Sequence, residues 1–219
     1  MKRFASVLFK LGALSLSIFG IILSFQGFHN IVEITSYFTT IVNFLSAIVL
    51  IYLIVFNLLK LDVKGFLYYW YQCTLVMLIV TMFVYGILLV PFLIQQNTGY
   101  EVFSIRDTII HFFVPVAFAM DYLLFAKKGT ARSWMIIVNL LIPIVYLVYL
   151  QVYDSLGGRF TFGETISRFP YFFLNVDRVG WPVFLTYIAG MMGFVLFVSW
   201  IFCTVDEIVS TKLKPIYTK

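Results

Sequence analysis

Six apolar runs, each about as long as a bilayer crossing and nearly free of charge, constrain this chain more than anything else in it. They lie at roughly 4–26, 37–60, 66–94, 107–126, 133–153 and 181–205, separated by Gly, Pro, Asn or clusters of charge. A helix of about 20 apolar residues crosses the hydrocarbon layer. Lipid offers no partner to an unpaired backbone amide, so the choice is between helices and a closed barrel, and these runs lack the alternation of a barrel strand. The expected fold is therefore all-α, a polytopic membrane protein whose six transmembrane helices form one domain over residues 1–219. A composition that is 62% hydrophobic and 11% charged leaves no room for a second, soluble domain.

Charge gives the orientation. Lys2, Arg3, Lys60, Lys64, Lys127, Lys128, Arg132, Lys212, Lys214 and Lys219 fall on one side of the six runs, while the other side has only Arg106, Arg159, Arg168 and Arg178, set among acids. The positive-inside rule places both termini in the cytoplasm and the long connection 154–180 on the extracytoplasmic side. The net charge of +5 then reads as topology and attraction to anionic membrane lipids, with no nucleic-acid surface. Met1-Lys2-Arg3 before an apolar run looks like the start of a signal peptide. The run is too long for one and no small-residue cleavage motif closes it, so it is expected to stay as the first helix.

Within the runs, Ala13, Ser17, Gly20 and Ser24 recur at helical spacing, as do Gly190 and Gly193, and small residues let neighbouring helices approach. Cys73 and Cys203 lie in the inner halves of runs 3 and 6, which argues against a disulfide or a metal site and for packing. Neither metal nor cofactor is expected. Lys10 and Asp121 sit toward the inner ends of their helices, where each is expected to snorkel to the surface. The connection 154–180 is rich in aromatics, and we expect an ordered lid on the membrane surface.

An ionisable group inside a membrane helix is a functional hypothesis by default. The chain has two histidines, and His111 is the one inside a run. It enters from the same side as Thr39, and with about 1.5 Å of rise per residue the two fall at similar depth. If their helices are neighbours, hydroxyl and imidazole meet directly or through a water. Asn43, four residues after Thr39, shares its helix face and is expected to orient the hydroxyl or donate to an oxyanion. Asp107, one turn before His111, is expected to orient the imidazole, and Pro115, one turn beyond it, to free a backbone carbonyl.

The stretches Tyr37-Phe38-Thr39-Thr40-Ile41-Val42-Asn43-Phe44-Leu45, His111-Phe112-Phe113-Val114-Pro115 with Asp121-Tyr122-Leu123-Leu124-Phe125, and Pro170-Tyr171-Phe172-Phe173-Leu174-Asn175-Val176-Asp177 before Gly180-Trp181-Pro182 resemble the bacterial six-span relatives of the androgen-induced protein family. The animal members are integral membrane threonine hydrolases of fatty-acid esters of hydroxy fatty acids. The resemblance implies a lipid-ester hydrolase in a bacterial cytoplasmic membrane, with Thr39 as nucleophile, His111 as base and an acyl-ester substrate entering from the bilayer. The lid expected from the position and aromatic content of the 154–180 connection includes Pro170, Tyr171, Asn175, Asp177 and Trp181. Thr40 exchanges with Thr39 if the alignment slips by one residue. Two other classes stand beside this reading: a non-catalytic membrane protein whose Thr39 and His111 are helix glue, and a small lipid or solute transporter with a polar pocket at the same place. Oligomeric state is open.

Overall fold

The computed structural model describes residues 2–26, 30–96, 100–162 and 165–217. Lys219 and the side chains of Lys2, Lys212 and Lys214, which contribute to the charge bias, lie outside the described atoms, and so does His29, the second histidine. Among the described residues six helices are long and apolar enough to cross a membrane: Arg3–Phe25, Phe38–Leu58, Gly65–Gln95, Ile105–Phe125, Trp134–Ser155 and Trp181–Thr211, here spans 1 to 6. The protein is an integral multi-pass membrane protein.

Spans 1 to 4 form the centre. Span 1 packs on spans 2 and 4, and span 3 packs on spans 2, 4 and 6. The apolar interior between them holds Val42, Val49, Leu50, Tyr71, Leu75, Met77, Val114 and Phe118. Small residues of span 1 do what their spacing suggested. Ser17 is wholly buried and bonds the Asn43 carbonyl and the Ser46 hydroxyl of span 2. Gly20 lies so close to span 4 that a Cβ there would meet Ile110 Cγ2 at 2.7 Å and Ile109 Cγ2 at 2.8 Å. In span 6 the expectation fails: Gly190 and Gly193 face open space and bring no helix close.

Two spans are not plain α-helix. Tyr85–Leu89 in span 3 and Ile109–Phe113 in span 4 are π-helical turns. In the second, Val114 N–H donates to the Ile109 carbonyl, five residues back. The next donor in that register belongs to residue 115, a proline with no N–H. The carbonyl of Ile110 is thereby left over, and the Asn43 side chain takes it at 3.2 Å.

The segment between spans 5 and 6 has more structure than its sequence suggested. It holds an antiparallel hairpin of β1 (Phe160–Phe162) and β2 (Thr165–Ser167), paired Phe160 to Ser167, then a 3-10 turn at Phe172–Leu174 and a helical turn at Val176–Val179. Phe160, Phe169, Phe173 and Leu174 bury against Tyr146, Leu150 and Tyr153 of span 5, so the segment is anchored by its own aromatic core. Glu33, buried between spans 1 and 2, accepts from the Thr161 backbone at 2.6 Å and ties the hairpin to the bundle.

At the other end of the bundle Lys10 and Asp121 do not snorkel. They form an ion pair of 2.8 Å with 5% and 1% of each residue exposed, and Tyr71 donates to the second carboxylate oxygen at 2.8 Å. Asp121 lies on the inner side of span 4, facing span 1, and pairing there replaces the route to solvent.

Candidate functional site

Thr39 is the second residue of span 2 and is buried. It lines a cavity of about 60 Å³ whose other walls are mostly apolar residues of spans 3, 5 and 6, including Met77, Val80, Leu147, Met191 and Met192, with Thr81 among them. Polar atoms at the cavity are few. Tyr171, Phe173 and Leu174 of the 154–180 segment close it at the loop end, together with Tyr146 of span 5.

The Tyr171 hydroxyl lies among the Thr39 hydroxyl, the backbone of Phe38 and Thr39, and the Tyr146 hydroxyl. Burial pushes this phenol above its ordinary value, and the neighbouring Thr39 pulls against that shift. It therefore stays protonated at neutral pH and keeps a hydrogen to donate. Its ring stacks on Phe173 with centroids 5.6 Å apart, which fixes its direction. Nothing in the sequence singled out its hydroxyl from those of the other tyrosines.

The other expected lid residues divide. Pro170 is buried within the segment, and the Asn175 side-chain oxygen is buried without a partner among the described residues. Asp177 is exposed and pairs with Arg168, and Trp181 is 63% exposed, its ring against Phe184. None of these four lines the Thr39 cavity. Arg168 also grips Asp154 at the end of span 5, so its guanidinium pins the segment's two ends together.

His111 stands in a separate, more polar setting. Span 4 begins at Ile105, capped by the Ser104 hydroxyl, so His111 lies six residues in, about 9 Å along the axis and deeper than the sequence suggested. Its Nδ1 is 3.1 Å from the Asp107 backbone carbonyl. A carbonyl only accepts, so Nδ1 carries the hydrogen and Nε2 of the neutral ring holds a lone pair. The ring stacks on Tyr85 with centroids 3.7 Å apart and planes at 11°. Both π-turns thus meet at one ring pair.

Asp107 orients His111 differently from the expected base–acid pairing. Its carboxylate is taken up by the Tyr85 hydroxyl at 3.0 Å, the Tyr100 hydroxyl at 2.8 Å and Arg106 Nε at 3.1 Å. The carboxylate is satisfied at the mouth of the helix, and the backbone carbonyl is left for the imidazole. Tyr100, raised above its ordinary value by burial and by the Asp107 charge, stays a neutral donor there.

Asn43 departs from its expected role too. Its amide nitrogen donates to the Thr39 carbonyl at 2.9 Å and to the Ile110 carbonyl at 3.2 Å. Both hydrogens are spent, so the amide has none for an oxyanion. It joins the backbones beside Thr39 and His111 instead, which makes spans 2 and 4 the neighbours that the depth argument required. Among the described residues no hydrogen bond links the Thr39 hydroxyl to the His111 ring, and His111 does not line the Thr39 cavity. Thr40 is also buried and does not line it. Among the described residues no group of His, Cys, Asp and Glu is arranged to hold a metal ion.

No protein-family model, curated protein or solved structure matches the chain.

Proposed function

We propose that the protein is an intramembrane lipid-ester hydrolase in which Thr39 is the nucleophile. The observation that carries this reading is Thr39 at the wall of a mostly apolar cavity, with the protonated Tyr171 phenol close to it. The family resemblance supplies the reaction class. A cavity of about 60 Å³ is small for a long acyl chain, so the ester carbonyl enters and the chain trails between spans 5 and 6 into lipid. Met77, Met191 and Met192 give that wall flexible side chains that adapt to a chain.

In the proposed reaction Thr39 Oγ attacks the ester carbonyl and its proton passes to His111 Nε2, through a water or after the rings shift on substrate binding, since catalytic contacts are often longer in the free enzyme. The Tyr171 hydroxyl donates to the oxyanion, the part first assigned to Asn43. His111 returns the proton to the leaving alcohol, and water then hydrolyses the acyl-Thr39 bond to release the acid.

A second reading, the non-catalytic one, draws on the full use of Asn43 and on the stacked, tethered His111, which suit helix connection equally well. Labelling of the purified protein with a fluorophosphonate probe separates the two. The hydrolase reading expects labelling of wild type, none of Thr39→Ala, retention in Thr40→Ala, and slower labelling of His111→Ala. Tyr171→Phe is expected to label about 10²–10³-fold more slowly, the usual effect of losing one oxyanion donor. Absence of labelling in wild type, or equal labelling of Thr39→Ala at equal folded yield, decides for the non-catalytic reading.

A further inference from the structure

A cavity at the end of the bundle opposite the 154–180 segment has no part in the proposed hydrolysis. It measures about 330 Å³ and is bounded by the start of span 1, the end of span 2, the connection to span 3 and the end of span 4. Arg3, Lys64 and Lys127 form an exposed rim, and Lys10, Asp121, Ser6 and Tyr71 form the floor. Four cations, Arg3, Lys10, Lys64 and Lys127, face two carboxylates, Asp62 and Asp121, which leaves a surplus of two positive charges.

The pairings place that surplus. Lys10 is held by Asp121, and Lys64 pairs with Asp62 at 3.0 Å. Arg3 and Lys127 have no ion-pair partner among the described residues. A basic rim alone is what any inner membrane surface carries.

The floor adds what a headgroup layer does not supply. An ammonium has three N–H donors, and Lys10 spends two, on Ser6 Oγ at 2.7 Å and Asp121 Oδ1 at 2.8 Å. Ser6 Oγ in turn accepts from Lys10 and from Asn57 Nδ2 at 2.8 Å, which leaves its own hydrogen unused. Both residues are 5% exposed; the Lys10 ammonium also lies over the Phe125 ring at 5.0 Å, and neither remaining hydrogen meets an oxygen or nitrogen acceptor among the described residues. Buried donors facing a cavity of surplus positive charge suit the oxygens of an anion.

We propose that this cavity binds a phosphate-bearing anion, supplied either by the headgroup of an anionic phospholipid in the adjoining leaflet or by free phosphate from solution. The phosphate oxygens accept from Lys10 and Ser6 at the floor, and Arg3 and Lys127 close over the charge at the rim.

Thermal unfolding of the full chain in detergent, titrated separately with inorganic phosphate, with phosphatidylglycerol mixed micelles and with phosphatidylcholine mixed micelles, tests this. A saturable rise in wild-type unfolding temperature is expected with phosphatidylglycerol if the ligand is a headgroup, and with inorganic phosphate if it is a soluble anion, with phosphatidylcholine giving none. The double variant Arg3→Gln/Lys127→Gln, which alters exposed rim residues only, is expected to need about tenfold more ligand or beyond, the size of one charge-assisted hydrogen bond. Lys60→Gln/Arg132→Gln removes as much charge from the same end of the bundle without touching the cavity lining. It is expected to bind as wild type does. Equal weakening of both double variants shows general attraction to a basic surface and overturns the proposal, as does a wild type that responds to neither anion or equally to both lipids.

Discussion

Asp121 illustrates how much one buried charge depends on its partners. The carboxylate is satisfied on both oxygens, by Lys10 and by Tyr71, in a setting 1% exposed. Replacing it by Asn leaves the Lys10 ammonium buried without its counter-charge, and the expected loss is about 3–5 kcal/mol. Lys10→Met/Asp121→Leu removes both charges and is expected to recover most of it; thermal unfolding in detergent compares the three. Gly20 is the opposite kind of residue, one that matters through what it lacks. Gly20→Ala sets a methyl against the branched side chains of Ile109 and Ile110, which have little rotamer freedom, and an overpacking cost of about 1–3 kcal/mol is expected by the same measurement. That pressure falls directly on the π-turn that carries His111.

At the scale of the element, the π-turn at Ile109–Phe113 and span 2 depend on each other. Pro115 withholds the N–H that the π register calls for, and Asn43 supplies a substitute from another helix. Asn43→Ala strands the Ile110 carbonyl at an expected cost of about 1–3 kcal/mol. Pro115→Ala restores an N–H on span 4 itself, so the cost of Asn43→Ala is expected to shrink in that background. A double-mutant cycle on unfolding temperature measures the coupling, and additive effects would show that the two residues act independently. Proline at 115 was visible in the sequence as the source of a spare carbonyl. Which carbonyl, and what would meet it, depended on the register of the turn and on the helix facing it.

At the scale of the whole molecule, the buried charged groups collect at the two ends and the largely apolar interior separates them. The loop end holds the Thr39 cavity, the hairpin and the Asp107 network, while the basic end holds the Lys10–Asp121 pair and the larger cavity. The charge bias predicts which end faces the cytoplasm. With Cys73 and Cys203 replaced by Ala, a single cysteine at Leu156, a position 82% exposed, is expected to react with a membrane-impermeant maleimide applied to intact cells. One at Lys60 is expected to react only after the membrane is opened. The reverse pattern would invert the orientation and place the Thr39 cavity on the cytoplasmic side.

The six crossings were legible because helix length and apolar content answer to the thickness of the bilayer, a constraint each run meets by itself. Thr39 and His111 stood out for a similar reason, as polar groups in segments where lipid tolerates few. What the partners of those groups are is a matter of which helix faces which, and no local pattern carries it. The Asp107 carboxylate turned to Tyr85, Tyr100 and Arg106 and left only its backbone to His111, Asn43 bridged two carbonyls, and Lys10 found Asp121 across 111 positions of sequence. In a low-dielectric interior a buried polar group is costly unless it finds a partner. The sequence alone determined that these groups were present and in which run, and only the packing of the helices decided their final depth and where each partner was found.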